Sequence, residues 1–373
     1  MKKIAVLGST GSIGVQTLDV LKAKGELFDV FSLVAFSDIK KVLEQQREFS
    51  APYVGVINLH EQTEGVHTGE NCLLEAVEGA DTVVVATRGI VALPAVLKAL
   101  KEGKTVALAN KETLVCGGKL VNEYAKKYGG KLVTVDSEHS AVMQCLNGEN
   151  KKNVSKIILT ASGGAFRNFS YEQLKNVTAA DALKHPTWRM GQKITIDCAT
   201  MMNKGLEIIE ACRLFDVSED KVEVVVHPQS IVHSMVEFAD GSVKAQLASP
   251  DMKLPIQYAL TYPERFGCDV KPLDLFSLPL EFFVPDENKF KCMSLCREAI
   301  KKDGLYPTAL NAANDVCVEN FVNGKIGFFD IADTIERVLN EFVPQYDKVD
   351  VKSIFDTDRQ VKIITQNIID GVL

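Results

Sequence analysis

The sequence predicts an α/β protein in three parts: a Rossmann-like parallel sheet domain, an α+β catalytic domain and a C-terminal helical bundle. Three observations predict this. Strand-like and helix-like stretches alternate through the first third, the pattern of a parallel, doubly wound sheet. A glycine-rich turn joins the first of these strands to the first helix. After a proline-rich stretch, the last third shows helical spacing alone. The 373 residues suffice for two or three domains, which we place at 1–135 (nucleotide binding), 136–261 (catalysis, with a lid at 182–194), 262–288 (linker) and 289–373 (helical).

The first strand is Lys3-Ile4-Ala5-Val6-Leu7. Gly8-Ser9-Thr10-Gly11-Ser12-Ile13-Gly14 follows at once, and helical spacing runs from Val15 to Lys24. Strand, glycine turn and helix in that order form the context of a dinucleotide site, because glycines permit close backbone approach and the helix N-terminus attracts pyrophosphate. The spacing is GxxGxxG rather than GxGxxG. Further strands are expected at Phe31–Phe36, Thr82–Ala86 and Thr105–Ala109, with a helix at Leu93–Glu102. Where such folds choose between NAD and NADP, the chain reads Phe36-Ser37-Asp38-Ile39-Lys40-Lys41. Asp38 favours a ribose 2′-hydroxyl and Lys40 a 2′-phosphate, so the two point in opposite directions. Ala109-Asn110-Lys111-Glu112 then places a lysine at a strand's carboxyl end, where open α/β sheets bind ligands; a lysine capping the sheet edge fits equally.

The stretch Val133 to His139 ends a β-branched apolar run in Asp136 and Glu138, two residues apart. If the strand continues, both carboxylates leave one face and call for a cation; the alternative is a solvated turn. A strand at Lys156–Ala161 runs into Ser162-Gly163-Gly164, a hydroxyl beside two glycines as in phosphate loops or plain turns. Ala182 to Ile194 holds His185, the sole tryptophan Trp188, Met190 and Gly191, and reads either as a lid or as a loop packed on its domain. The helix beginning near Ala199 brings Asn203, Lys204 and Glu207 onto neighbouring turns. If Glu207 joins Asp136 and Glu138, three hard oxygen ligands result, suited to Mg²⁺ or Mn²⁺. Strands are expected at Val222–Val226, Ile231–Phe238 and Val243–Leu247, the last two joined by an Asp240-Gly241 hairpin signal; His227 and His233 adjoin them and read as structural. Tyr262 to Asn288 is a linker, and helices are expected at Cys292–Lys302, Pro307–Phe321, Ile331–Phe342 and Val351–Ile369.

Composition excludes several classes. A net charge of −7 without a basic block gives no footprint for nucleic acid. Nine scattered cysteines without CxxC spacing indicate neither a disulfide framework nor a zinc site, and fit a reducing cytosol. The chain enters a strand at once, leaving no room for a leader, and no apolar run approaches membrane-spanning length, so a cytoplasmic protein is expected.

Taken together, GSTGSIG (8–14), LANKE (108–112), VDSEH (135–139), SGGAFR (162–167), HPTWRMG (185–191), ATMMNKGLE (199–207), HPQSIVHSMVEF (227–238) and LNAAN (310–314) resemble the 1-deoxy-D-xylulose 5-phosphate reductoisomerase family, in family order over nearly the whole chain. The resemblance implies an NADPH- and divalent-metal-dependent enzyme of non-mevalonate isoprenoid biosynthesis, usually a homodimer. Its members rearrange 1-deoxy-D-xylulose 5-phosphate, by a retro-aldol cleavage and re-formation of a carbon–carbon bond, and reduce the product to 2-C-methyl-D-erythritol 4-phosphate. By resemblance Asp136, Glu138 and Glu207 hold the metal. Lys111 and Glu138 are catalytic, and Ser137 bonds a substrate hydroxyl. Ser162, Cys198, Asn203 and Lys204 grip the phosphate while His185, Trp188 and Met190 close over it. Thr10, Gly11, Ser12, Ile13, Asn110, Glu112 and Gly191 contact the cofactor.

The chain departs from the family twice. Cys198 stands where a phosphate-site serine is usual, and a thiol is the weaker donor. Phe36-Ser37-Asp38 replaces a Gly-Lys-Asn-like triplet, so NADPH preference is expected to rest on Lys40 or Lys41 and to be less strong. Two other readings stay open: a dehydrogenase of another phosphorylated sugar, which needs no metal, and a non-catalytic nucleotide sensor, which has no use for the carboxylates.

Overall fold

The computed structural model describes residues 1–59, 63–184, 190–276 and 279–372. In chain order, the first part runs β1 (Lys2–Leu7), α1 (Ser12–Ala23), β2 (Phe28–Ala35), α2 (Ile39–Phe49), β3 (Tyr53–Val56), β4 (His67–Thr68), α3 (Asn71–Val77), β5 (Thr82–Val85), α4 (Leu93–Lys101), β6 (Thr105–Leu108), α5 (Lys111–Tyr128) and β7 (Lys131–Thr134). The middle has α6 (Ser137–Leu146), β8 (Val154–Ala161), α7 (Tyr171–Leu174), α8 (Ala179–Ala182), α9 (Gln192–Ala199), α10 (Met202–Phe215), β9 (Val222–Val226), β10 (Val232–Phe238) and β11 (Val243–Leu247). The remaining helices are α11 (Lys253–Thr261), α12 (Cys292–Lys302), α13 (Tyr306–Val322), α14 (Phe328–Glu341) and α15 (Val351–Ile369).

These elements form two compact units. The first comprises Met1–Thr113, Lys119–Ser140 and Asp251–Lys271; the second comprises Leu114–Gly118, Ala141–Pro250 and Pro272–Leu373. In the first unit a seven-stranded, wholly parallel sheet has the order β4-β3-β2-β1-β5-β6-β7. Its central strands are buried on both faces, as covering helices on either side require: Ile4, Ala5, Val6 and Leu7 of β1 have no exposure at all. The order reverses between β1 and β5, the switch point at which doubly wound sheets bind ligands. In the second unit a four-stranded mixed sheet has the order β11-β10-β8-β9, with β8 and β9 parallel and β10 antiparallel to both its neighbours. Helix α10 packs on β8, β9 and α12, and α13 packs on α9, α12, α14 and α15. Residues 279–284 of the linker strap this unit, where Val226 and Phe283 exchange backbone hydrogen bonds of 2.8 and 2.9 Å.

The expected fold class holds, and four ranges coincide with those read from sequence: β9, β11, α12 and α15. Two local readings are corrected. Asp136 and Glu138 do not extend a strand. β7 ends at Thr134, and the Asp136 carboxylate accepts from the backbone N–H of Glu138 (3.2 Å) and of His139 (3.4 Å), capping α6. Capping satisfies helix donors that a continued strand would leave without partners, so Glu138 lies on the first turn of a helix. The first helix starts at Ser12 rather than Val15, which places Ser12 and Ile13 in its first turn. Gln192 to Ile194 of the expected lid are helical, while His185 and Trp188 lie outside the described residues.

Candidate functional site

The glycine turn of the first unit is built as a cofactor loop demands. Gly8 is left-handed (φ +91), and a side chain there would meet the Ala86 carbonyl oxygen at 2.5 Å across the switch point. A side chain at Gly14 would meet the Gly8 carbonyl oxygen at 2.2 Å, so α1 approaches the turn as closely as its backbone allows. Gly11, the residue preceding α1, contributes no side-chain cap, and both it and Ser12 are exposed. Lys41 reaches back from α2 to donate to the Thr10 carbonyl at 2.9 Å. Asp38 caps α2, its carboxylate accepting from the Lys41 backbone N–H at 3.0 Å. The expected opposition between Asp38 and Lys40 thus takes another form: the acid is engaged by a helix end, and Lys41 is the cation held at the loop.

Asn110 is buried and joins two strand ends. Its amide donates to the Thr87 and Gly89 carbonyls (2.7 and 2.9 Å), and its oxygen accepts from the Thr113 backbone N–H at 2.8 Å, capping α5. This fixes Lys111 at the first turn of α5, where the ammonium meets Asp136 in an ion pair with about a tenth of each side chain exposed. The other Asp136 oxygen accepts from His139 Nδ1 at 3.0 Å; since a carboxylate only accepts, the proton is on Nδ1. His139 is fully buried. Burial by itself would raise the Asp136 carboxyl, but Lys111 and then His139 hold it well below the usual carboxylate range. Beside it the Ser137 hydroxyl donates to Glu138 Oε2 at 2.5 Å. Lys111 and Asp136 therefore form a largely buried ion pair, and the Ser137–Glu138 pair follows it on the first turn of α6. The role of His139 was not foreseen; an Asp and a His three apart at a helix start was the available signal.

The second unit gathers the other predicted side chains. Gly163 and Gly164 are both left-handed (φ +83 and +68), and the Gly164 backbone N–H donates to Ser162 Oγ at 3.3 Å. A side chain at Gly164 would strike the Cys198 carbonyl oxygen at 2.3 Å, so the loop after β8 lies against the end of α9. Met201 (φ 61) then turns the chain into α10. There Asn203 Nδ2 donates to Glu207 Oε1 at 2.7 Å, and Lys204 pairs with the other oxygen. Glu207 and Lys204 are 1% and 4% exposed, so this face of α10 is buried. Both oxygens of this buried carboxylate are engaged, so its orientation is fixed. His227 is structural as expected, its Nδ1–H donating to the Glu281 carbonyl at 2.8 Å and its Nε2 accepting from the Ile231 backbone N–H at 3.2 Å. Met190 and Gly191 lead into α9, with Gly191 the extended residue that precedes it.

The chain is similar to known proteins over nearly its whole length. Family models for 1-deoxy-D-xylulose 5-phosphate reductoisomerase match residues 4–118, for its C-terminal domain 132–215, and for a DXP reductoisomerase C-terminal domain 247–364. The 1-deoxy-D-xylulose 5-phosphate reductoisomerase of Chloroherpeton thalassium is 51% identical over 354 residues, covering 91% of each chain. The Zymomonas mobilis reductoisomerase, solved in complex with NADPH, is 39% identical with a TM-score of 0.92 over 99% of each chain. A DOX-P reductoisomerase solved with NADPH, fosmidomycin and magnesium is 38% identical with a TM-score of 0.94, over 100% of this chain and 99% of that one. Identity at this level over nearly full length leaves one assignment: the chain belongs to the 1-deoxy-D-xylulose 5-phosphate reductoisomerase family.

Proposed function

We propose that Lys111, Asp136, Ser137, Glu138 and Glu207 make up the reaction centre of this chain, and that Ser162, Cys198, Asn203 and Lys204 bind its substrate's phosphate, with His185, Trp188 and Met190 closing over it. The chain is an NADPH-dependent reductoisomerase that converts 1-deoxy-D-xylulose 5-phosphate to 2-C-methyl-D-erythritol 4-phosphate in non-mevalonate isoprenoid biosynthesis. A dehydrogenase of another phosphorylated sugar is not favoured. The observation that carries the residue assignment is the buried Lys111–Asp136–His139 group, because an aspartate kept ionised where burial opposes charge is a ligand held ready for a cation.

The donor set fits a divalent metal: Asp136, Glu138 and Glu207 offer hard oxygens without a sulfur or imidazole ligand, the chemistry of Mg²⁺ or Mn²⁺. When bound, the metal supplies a Lewis acid for the substrate's carbonyl and adjacent hydroxyl. Lys111 neutralises oxyanion charge as it develops, and Ser137 orients a substrate hydroxyl. Lys204 supplies charge to the phosphate and Asn203 its amide. NADPH, when bound, supplies the hydride; Thr10, Gly11, Ser12 and Ile13 of the glycine turn, with Asn110, Glu112 and Gly191, hold it. Preference over NADH rests on Lys40 or Lys41 and is weaker than a Gly-Lys-Asn-like triplet gives.

The functional division at residues 1–135, 136–261, 262–288 and 289–373 is kept as part of this reading. A cytoplasmic homodimer completes it. In its support, all nine cysteines are free, and β11 is an edge strand with Val243 exposed. Leu280, Phe282, Phe283 and Val284 of the linker strap are also exposed, as a covered face in an assembly would require. No helix among the described residues is long and apolar enough to cross a membrane.

Mn²⁺ titration followed by electron paramagnetic resonance tests the ligand assignment without turnover. Asp136→Asn and Glu207→Gln should each weaken Mn²⁺ binding by about 10- to 100-fold. Binding as tight as in the parent chain would remove that residue from the ligand set.

A further inference from the structure

A run of alternating charges in the second unit serves none of the roles given so far. Asp197, 3% exposed, accepts from Lys193 Nζ at 2.8 Å on one oxygen and from Asn314 Nδ2 at 2.9 Å on the other. Lys193 also faces Asp315 at 3.4 Å, the second Asp315 oxygen faces Lys362 at 3.3 Å, and Lys362 reaches Asp358 at 2.9 Å. The path starts on α9, crosses α13 and ends on α15. Burial alone would lower the Lys362 ammonium, yet Asp315 and Asp358 together raise it.

Helix α9 needs such an anchor. It has eight residues and no side-chain cap at Gly191, and a helix so short is marginal on its own. Its last turn carries Cys198, against whose carbonyl Gly164 of the Ser162-Gly163-Gly164 loop is fitted too closely for a Cβ. Asp197 is the neighbour of Cys198 and is satisfied on both oxygens, so rotation of α9 about its axis would strand a buried carboxylate. The C-terminal helices thereby set where the end of α9 lies.

We infer that the network of Asp197, Lys193, Asn314, Asp315, Lys362 and Asp358 positions α9 for phosphate binding, with Asp315, on which both lysines converge, as its central member. These are positioning residues; none is assigned to substrate or cofactor. The inference rests on the phosphate-site reading above.

The test uses the full-length chain carrying Asp315→Asn, and separately Lys362→Met at the outer, more exposed end. Expected for each is a rise of about five- to tenfold in KM for 1-deoxy-D-xylulose 5-phosphate, with kcat within about twofold, and an equal weakening of inorganic phosphate binding by calorimetry. Asp315→Glu should restore most of both, and amide exchange over 192–199 should quicken in Asp315→Asn but not in Asp315→Glu. A lowered melting temperature with unchanged KM, phosphate affinity and exchange would show a merely structural network and overturn the inference. If the parent chain itself neither turns over the sugar phosphate nor binds phosphate, the functional reading fails. The exchange comparison then still decides whether the network fixes α9, and unchanged exchange overturns that too. Should Asp315→Asn not fold, Lys362→Met carries the same readouts.

Discussion

Lys111 joins two demands in one ammonium. It keeps Asp136 ionised in a place where burial alone would favour the neutral acid, and in our proposal the same ammonium answers oxyanion charge. Lys111→Met should lower kcat by about 10²- to 10³-fold, the magnitude typical of losing one preorganised stabiliser, measured as NADPH consumption at saturating substrate. A fall below about threefold would move the catalytic cation elsewhere. Lys41 is a second residue whose position makes a prediction. It is tied to the Thr10 carbonyl beside the glycine turn, whereas Asp38 is spent on capping α2. Lys41→Ala should raise KM for NADPH about tenfold, roughly the loss of one charge-assisted hydrogen bond, and leave NADH kinetics unchanged. Equal effects on both cofactors would assign 2′-phosphate recognition to Lys40 or to neither. At this scale the residue types at the site were legible in the motifs, but their local conformation was not. Asp136 and Glu138 satisfy strand alternation equally well, and only the competing gain of a helix cap decides against it.

Among the elements, those with a strong single period were read to the residue. Strands β9 and β11 and helices α12 and α15 have long apolar alternation or stripes bounded by turn chemistry. The stretch from Ile39 to Gly79 carries little apolar signal: α2 buries only Val42 and Gln45, and β4 is two exposed residues. A strand as short as β4 becomes regular only by joining an existing sheet. Helix α8 shows how a short element is held against α9. Thr178 and Asp181 form a capping box, and the Thr178 hydroxyl first, then Lys184, depress the Asp181 carboxyl to about 2. Its folded pKa lies below the unfolded value near about 3.9, so this support is present above pH 4 and is lost as pH falls through about 2. An NMR titration should show Asp181 with a midpoint near 2, and Asp181→Asn should remove the acid loosening of α8 between pH 4 and 2. A midpoint near 4 would mean that the box does not form in solution.

The whole molecule divides its chemistry between units with different physics. The first presents a backbone cradle at the switch point of a parallel sheet and an ionised aspartate held by buried partners. The second offers left-handed glycines and a buried glutamate clasped by Asn203 and Lys204. Chain order alone conveyed this division of labour, since motif positions follow the sequence. It did not convey that Leu114–Gly118 of α5 belongs to the second unit, or that Asp251–Lys271 returns to the first, because such contacts depend on tertiary packing and leave no local period. The central claim is that this chain reduces 1-deoxy-D-xylulose 5-phosphate with NADPH in a metal-dependent reaction. NADPH oxidation with that substrate, in excess Mn²⁺ and again with a chelator, tests it most directly. Oxidation that requires both substrate and metal, yielding 2-C-methyl-D-erythritol 4-phosphate, is the predicted result. Equal oxidation with the chelator present, or none with metal and substrate both supplied, would contradict it.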